Sequence, residues 1–241
     1  IEKDLEILRC SHKVEEFRFR GLGDVPRLLI KTAQCDVVFS WFGKLHAFFA
    51  VFFAKVLRKK SVVVAGGDDV AQRTPLGRAY GLFSDPVKRW FGRFIFKRTN
   101  FVLAVSDYNY GEVINNTPVQ AWKVRRIYHG FRPEEFCKVS DVEKKATVVT
   151  VGHVTYENCW RKGFGLIKKT AMLMPDVDFY IIGPALDSSI NDLKKDKSAN
   201  LFLPGEMRGE ILRKALSAAQ VYLQVSEWES FGCALAEAML C

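Results

Sequence analysis

Short apolar runs alternate with helix-like stretches along most of this chain, and that alternation constrains its fold more than any other feature. CDVVFSW at 35–41, SVVVAGG at 61–67 and FVLAVS at 101–106 are turn-bounded runs of strand length, rich in β-branched and aromatic residues. Lys44 to Arg58, the stretch from about Gly77 to Arg98, and Tyr108 to Ile114 carry helical apolar spacing. After Pro118, KVRRIYHGFRPEEF at 123–136 reads as a short strand, a turn at Gly130 and a proline-containing exit. The charged run SDVEKKA at 140–146 follows, and a domain boundary is expected there. A second series then begins, with strands at 147–152, 177–183, 200–205 and 221–225 and helices from about Gly163, near 188–196, at 207–218 and from Phe231 to Met239. Near-continuous apolar strands of this kind belong to parallel sheets covered on both faces. The expected architecture is therefore α/β, with two doubly wound Rossmann-like domains at residues 1–140 and 141–241. The opening IEKDLEILRC alternates imperfectly and specifies no element.

Composition limits what such domains can do. With 241 residues, 49% of them hydrophobic, the chain can bury one large core or two modest ones. It begins at Ile1 without a methionine and stops at Cys241 inside a helical pattern, so both domains are expected to be incomplete and the fragment inactive alone. Six cysteines at 10, 35, 137, 159, 233 and 241 form no CxxC pair, which suggests free thiols in a reducing, cytoplasmic compartment. AFFAVFFAKVL at 47–57 is too short to span a bilayer and contains Lys55, so a buried helix is expected. The net charge of +9 suits an anionic substrate, an anionic membrane surface or nucleic acid. Within VKRWFGRFIFKR at 87–98, Val87, Trp90, Phe91, Phe94 and Ile95 share one helical face, while Lys88, Arg89, Arg93 and Lys97 share another. That pattern fits a surface helix packed on its own domain, or peripheral contact with the inner face of an anionic membrane. Aromatics are not interleaved along a basic strand, which argues against nucleic acid.

The chemistry concentrates in SEWESFGCALAEAM at 226–239. Gly232 opens a helix there, and a helix N-terminus preceded by glycine lets backbone N–H groups approach an anion such as a diphosphate. Glu229 lies in the preceding loop and Glu237 further along the helix; carboxylates at these places can accept hydrogen bonds from sugar and ribose hydroxyls. An ordinary strand–loop–helix unit would show the same outline, with Glu229 favoured by the helix dipole and Glu237 on a solvated face.

The spacing nevertheless resembles the E-x7-E signature of retaining glycosyltransferases of family 4, S-x-x-E-G-F-G-x-x-x-x-E-A. Ser226, Glu229, Phe231, Gly232, Glu237 and Ala238 match, and Ser230 stands in place of the first glycine. Further likenesses follow in the family's order: AVSDYN at 104–109, IYHGFRPEEF at 127–136, VGH at 151–153 with RKG at 161–163, IIGP at 181–184 and LPGEM at 203–207. Three departures accompany them. His153 replaces the family's arginine after Gly152, AGGDD at 65–69 lacks the histidine of the first domain, and His129 replaces an asparagine.

The resemblance implies a GT-B fold, with the two domains facing across a cleft, and a hexosyltransferase-type reaction. A sugar would pass from a UDP-, GDP- or ADP-linked donor to a hydroxyl of a glycan or lipid-linked acceptor, with retention at the anomeric carbon. Glu229 and Lys162 would be the catalytic pair. Arg161, Lys162, Phe231 and Gly232 would hold the diphosphate, Glu229 the sugar and Glu237 the ribose. No metal and no cofactor beyond the donor is expected, since Asp68–Asp69 alone makes a poor metal site. A non-catalytic nucleotide-sugar-binding relative and a nucleotide-sugar epimerase of the same fold remain the alternatives.

Overall fold

A computed structural model of the chain describes residues 2–241, which divide into two compact units that part between Tyr128 and His129. The first contains α1 (Glu2–Arg9), α2 (Val25–Ala33), β1 (Val37–Trp41), α3 (Leu45–Val56), β2 (Lys60–Ala65), α4 (Pro86–Arg98), β3 (Phe101–Ala104), α5 (Asp107–Asn116) and β4 (Val124–Arg126). Its four strands are all parallel in the order β1-β2-β3-β4. Alternate residues of the central strands, Val63 and Ala65 with Val102 and Ala104, meet Val51 of α3, Ile95 and Phe96 of α4 and Val113 of α5. Burial at every second strand position and along one helical stripe is what the apolar patterns required. Two of this unit's helices, α4 and α5, begin at side-chain caps. Asp85 accepts from the amides of Val87 (2.9 Å) and Lys88 (3.0 Å) with Pro86 in the first turn, and Ser106 accepts from Asn109.

That cap corrects the expected helix start at Gly77: α4 begins nine residues later. The intervening segment is a loop with a 3-10 turn at Leu82–Ser84, held by amide bonds from Tyr80 to the Gln72 carbonyl (3.2 Å), Leu82 to Asp68 (2.6 Å) and Phe83 to Ala71 (3.0 Å). In the loop before it Asp69 is fully buried and accepts from the amides of Gly43 (2.6 Å) and Gly67 (2.8 Å). The opening residues also form a helix, α1, tied to the sheet by a bond from Trp41 Nε1 to Asp4 Oδ2 (2.8 Å). A tertiary bond of that range leaves no trace in local periodicity.

The second unit contains β5 (Lys145–Val151), α6 (Tyr156–Arg161), α7 (Phe164–Leu173), β6 (Asp178–Ile182), α8 (Ser189–Lys194), β7 (Leu201–Gly205), α9 (Gly209–Ala218), β8 (Ala219–Tyr222) and α10 (Cys233–Leu240). The sheet is parallel in the order β7-β6-β5-β8. Its two faces carry separate cores. Phe179, Ile181 and Leu201 pack with Phe164 and Ile167 of α7, while Val149 and Ile182 pack with Leu212 and Leu216 of α9. Residues 129–144 pack against this unit: the Val139 amide donates to Ser217 Oγ (3.0 Å), and Arg213 donates to the Glu134 carbonyl (3.1 Å). These bonds account for the units parting at Tyr128 and His129. Among the described residues, no helix is long and apolar enough to cross a membrane.

Candidate functional site

Strand order singles out one place on the second sheet. From β5 the chain moves outward through β6 to β7, then returns to lay β8 on the other side of β5. The carboxyl ends of β5 and β8 therefore flank a topological switch point, where the connecting loops diverge and leave a crevice. Two segments lie there, Gly152 to Lys162 after β5 and Leu223 to Gly232 after β8.

The first turns at once into α6, capped by Thr155, whose hydroxyl accepts from the Asn158 amide (3.0 Å). Arg161 is the last residue of this helix and Lys162 its C-cap, so the basic pair is fixed on a helix end. Gly163 then takes a left-handed conformation (φ +70°) that starts α7 directly. A side chain on Gly163 would meet Val225 Cγ2 at 2.7 Å, so the glycine also lets the two segments touch. The aliphatic stem of Lys162 folds over Gly152: a Cβ there would sit 2.6 Å from Lys162 Cδ.

From the second segment Glu229 reaches between the two cations. Lys162 Nζ lies 2.8 Å from Oε1, Arg161 Nη1 lies 3.5 Å from Oε2, and Ser226 Oγ donates to Oε1 at 3.0 Å. The side chains are mostly withdrawn from solvent, with 12% of Arg161, 14% of Lys162 and 23% of Glu229 exposed. Arg161 is held from three further directions. Nε and Nη2 donate to Asn158 Oδ1 (3.2 and 2.6 Å), Nη1 donates to the Trp228 carbonyl (3.1 Å), and the guanidinium lies 5.9 Å from the Trp228 ring centre. The Glu227 amide donates to the Arg161 carbonyl (2.7 Å), stitching loop to helix. Arg161 Nε also lies 3.8 Å from Glu157 Oε1, so the two cations are shared between two carboxylates.

The loop ends at Gly232, left-handed at φ +84°, which caps α10 without a side-chain hydrogen bond. The first-turn amides of α10 thus have no capping side chain, an arrangement suited to an anion. Phe231, beside it, packs edge-on to His129 (5.1 Å) and is stacked with Phe131 (6.0 Å). Glu237 sits half-buried on α10. Tyr222, at the end of β8, lies in the field of both Glu229 and Glu237. Burial first, and then these two carboxylates, push its phenol up to about 12 and keep it protonated. Its hydroxyl donates to Gln224 Oε1 (3.4 Å).

The structure thus brings Arg161, Lys162 and Glu229 into direct contact and puts Phe231, Gly232 and Glu237 on the adjoining helix start. His153 lies exposed at the end of β5, its carbonyl accepting from Asn158 Nδ2 (2.7 Å). Asn158, Trp228 and Tyr222 were not anticipated as site residues. A buried asparagine three residues before an arginine carried a faint signal, and Tyr222 had none beyond its strand. In the first unit Asp68 pairs with Lys44 (2.8 Å) while Asp69 turns inward. Among the described residues, no group of three or more histidine, cysteine or acidic side chains could hold a metal ion.

No family model and no curated protein matches the sequence. Solved structures do match the fold. HepE of Anabaena, crystallised with UDP and glucose, superposes with a TM-score of 0.74 at 16% identity, over 98% of this chain and 68% of HepE. TarM gives 0.68 at 13% identity over 94% of this chain and 44% of its own. Sucrose-phosphate synthase from Thermosynechococcus elongatus gives 0.65 at 15% over 95% and 61%. At these identities the likeness is one of fold: this is an α/β chain of the GT-B type, with two parallel four-stranded sheets. HepE has also been crystallised with UDP-glucose and with UDP alone.

Proposed function

We propose that the chain is part of a retaining glycosyltransferase and that the switch-point crevice of the second unit binds its nucleotide-diphosphate sugar. The observation that carries this reading is the clamp of Lys162 and Arg161 on Glu229 beside the glycine-capped start of α10. A diphosphate bridging the two cations and the α10 amides would leave the Glu229 carboxylate facing the sugar and Glu237 within reach of the ribose. The first unit would then carry the acceptor.

In the proposed reaction the bond between the anomeric carbon and the diphosphate oxygen breaks, and its electron pair leaves on the diphosphate. The acceptor oxygen forms the new bond from the same face, and its proton passes to the departing phosphate oxygen. Negative charge grows where Lys162 and Arg161 stand, so their contribution is greatest in the transition state. Glu229 supports the electron-poor sugar and keeps both cations in position before the donor arrives. Preorganised charge of this kind needs no rearrangement at the moment of bond breaking.

Calorimetric titration of the chain with UDP-, GDP- and ADP-sugars tests the donor site. Micromolar binding of one donor, weakened at least tenfold by Glu237→Ala, supports it. No binding of any donor would sink it. Turnover of a bound donor without an acceptor would instead indicate an epimerase.

A further inference from the structure

The first unit carries a second assembly of charge and aromatic surface, along the outer sides of α3 and α4 and around their C-terminal ends. Helices α3 and α4 pack side by side through Phe48, whose ring lies 5.0 Å from Phe91, 4.9 Å from Phe94 and 6.0 Å from Trp90. Ile95 is buried beneath them, so the apolar stripe of α4 is only partly used by its own domain. Its outer members remain in solvent. Val87 is 69% exposed and Trp90 61%; on α3, Phe52 and Val56 are exposed as well, and Phe52 lies 6.3 Å from Phe94. These side chains form an apolar ridge running along both helices toward their C-terminal ends.

At that end the surface changes character. Lys55, Arg58, Lys59, Lys60 and Arg98, with Asn100, line a hollow of about 190 Å³. Among the described residues none of these five cations is in an ion pair. Cations in the last turn of a helix are favoured by its dipole, which accounts for Lys55 and Arg98 but not for the three that follow α3. Arg58 is moreover left-handed (φ +57°) at the helix exit, a position that glycine or asparagine would take with less strain. A cluster of five cations without ion-pair partners favours an anionic occupant.

The geometry points to a docking surface for an anionic phospholipid bilayer: the ridge of Val87, Trp90, Phe52 and Val56 enters the interface while the hollow takes a lipid phosphate. Charge complementarity commits the occupant. A soluble anion would leave the adjoining aromatic ridge without purpose, whereas a bilayer offers headgroup phosphate and an acyl boundary side by side. A tryptophan beside lysines and arginines is a composition suited to that boundary. The surface uses no residue of the donor site, so the inference stands apart from the proposed activity.

Sedimentation of the 241-residue chain with phosphatidylcholine vesicles, with and without phosphatidylglycerol, tests it. Binding is expected to the anionic vesicles only, accompanied by a blue shift of tryptophan emission. Arg58→Glu with Lys60→Glu should lower the partition coefficient at least tenfold. Trp90→Ser should lower it several-fold. Both variants alter exposed side chains, and unchanged melting temperatures would confirm that they fold. The comparison of neutral with anionic vesicles needs no variant. Equal binding to both vesicle types, no binding to either, or unchanged partition in both variants would overturn the inference. So would displacement by inorganic phosphate beyond that by chloride at equal ionic strength, which would assign the hollow to a soluble anion. Binding of single-stranded RNA, lost in the double-charge variant while vesicles stay unbound, would also overturn it.

Discussion

Each unit places a lysine–carboxylate pair beyond the carboxyl ends of its strands, and the two pairs have the same length. Lys44 and Asp68 meet at 2.8 Å in the first unit, as do Lys162 and Glu229 in the second. Their surroundings differ. The first pair is about half exposed, at 48% and 44%, while the second is mostly withdrawn, at 14% and 23%, and shares its carboxylate with Arg161. Strand order accounts for the difference. The first sheet runs β1-β2-β3-β4 without reversal, whereas the second reverses at β5 and opens a crevice between two diverging loops. A distance between charges is therefore a poor guide to function. The topology around it decides how far the pair is sheltered from solvent.

Breaking the comparison is simplest at the carboxylates. Asp69, the inward neighbour of Asp68, is raised by burial from 3.8 to about 6, against the lowering effect of the Gly43 and Gly67 amides. The fold thus favours its protonated form. Its contribution to stability is full below about pH 4 and is lost as pH rises through about 6, a change of ~3 kcal/mol. Urea unfolding of the wild type should show this slope and that of Asp69→Asn should lack it; equal slopes would refute the assignment. Next in size, Lys162→Ala should weaken donor binding by ~2 kcal/mol, read by calorimetry, because it removes a charged hydrogen-bond donor from a sheltered place. In contrast, Glu229→Gln should preserve or raise affinity for the free nucleoside diphosphate while lowering that for the nucleotide sugar. Equal losses for both ligands would contradict the separate roles given to the carboxylate and the cations.

Smaller effects sharpen the same contrast. Gly152→Ala should push the Lys162 stem off the end of β5 and reduce donor affinity about tenfold, or ~1.4 kcal/mol, while the melting temperature moves little. The closest clashes, 2.6 and 2.8 Å, are with the flexible Lys162 stem, which can swing away, while the Phe164 ring at 3.3 Å has to give by only a few tenths of an ångström. Finally, Lys44→Ala should change unfolding free energy by less than about 0.5 kcal/mol, as exposed pairs usually do. A loss above ~1.5 kcal/mol would erase the distinction between the two pairs.

Much of this architecture was legible before any coordinates. The strands lay where β-branched runs were bounded by turns, because parallel strands buried on both faces have little freedom in composition. Gly232 was legible as a helix start, because a glycine between a polar loop and a periodic apolar run marks one. What escaped were features set by single side chains or by long-range contact. The nine-residue error at the start of α4 came from reading apolar spacing through Asp85–Pro86, whose capping chemistry overrides periodicity. Helix α6 was missed because six residues are too few to establish a period, although Thr155 marked its start. Arg161 and Lys162 were expected to hold a diphosphate. Their capture by Glu229, 67 positions from Lys162, is invisible to any local window. The role of Asn158 as a bracket for Arg161 depends on a helix that was not foreseen.

The Lys162–Glu229–Arg161 clamp bears on how the site would behave in a cell crowded with phosphates. An unguarded pair of cations would act as a sponge, filling with whatever small anion was most abundant. Here the resting crevice already holds an anion of its own, attached to the chain at very high effective concentration. Any ligand must exchange with that tethered carboxylate. If the proposed donor site is right, inorganic phosphate, with few additional contacts to offer, would gain little from the swap, whereas a nucleotide sugar that presents a hydroxyl-rich ring to the displaced carboxylate would recover what it takes. The clamp would thus work as a password as well as a scaffold: charge alone does not open it, and charge carried together with a sugar does.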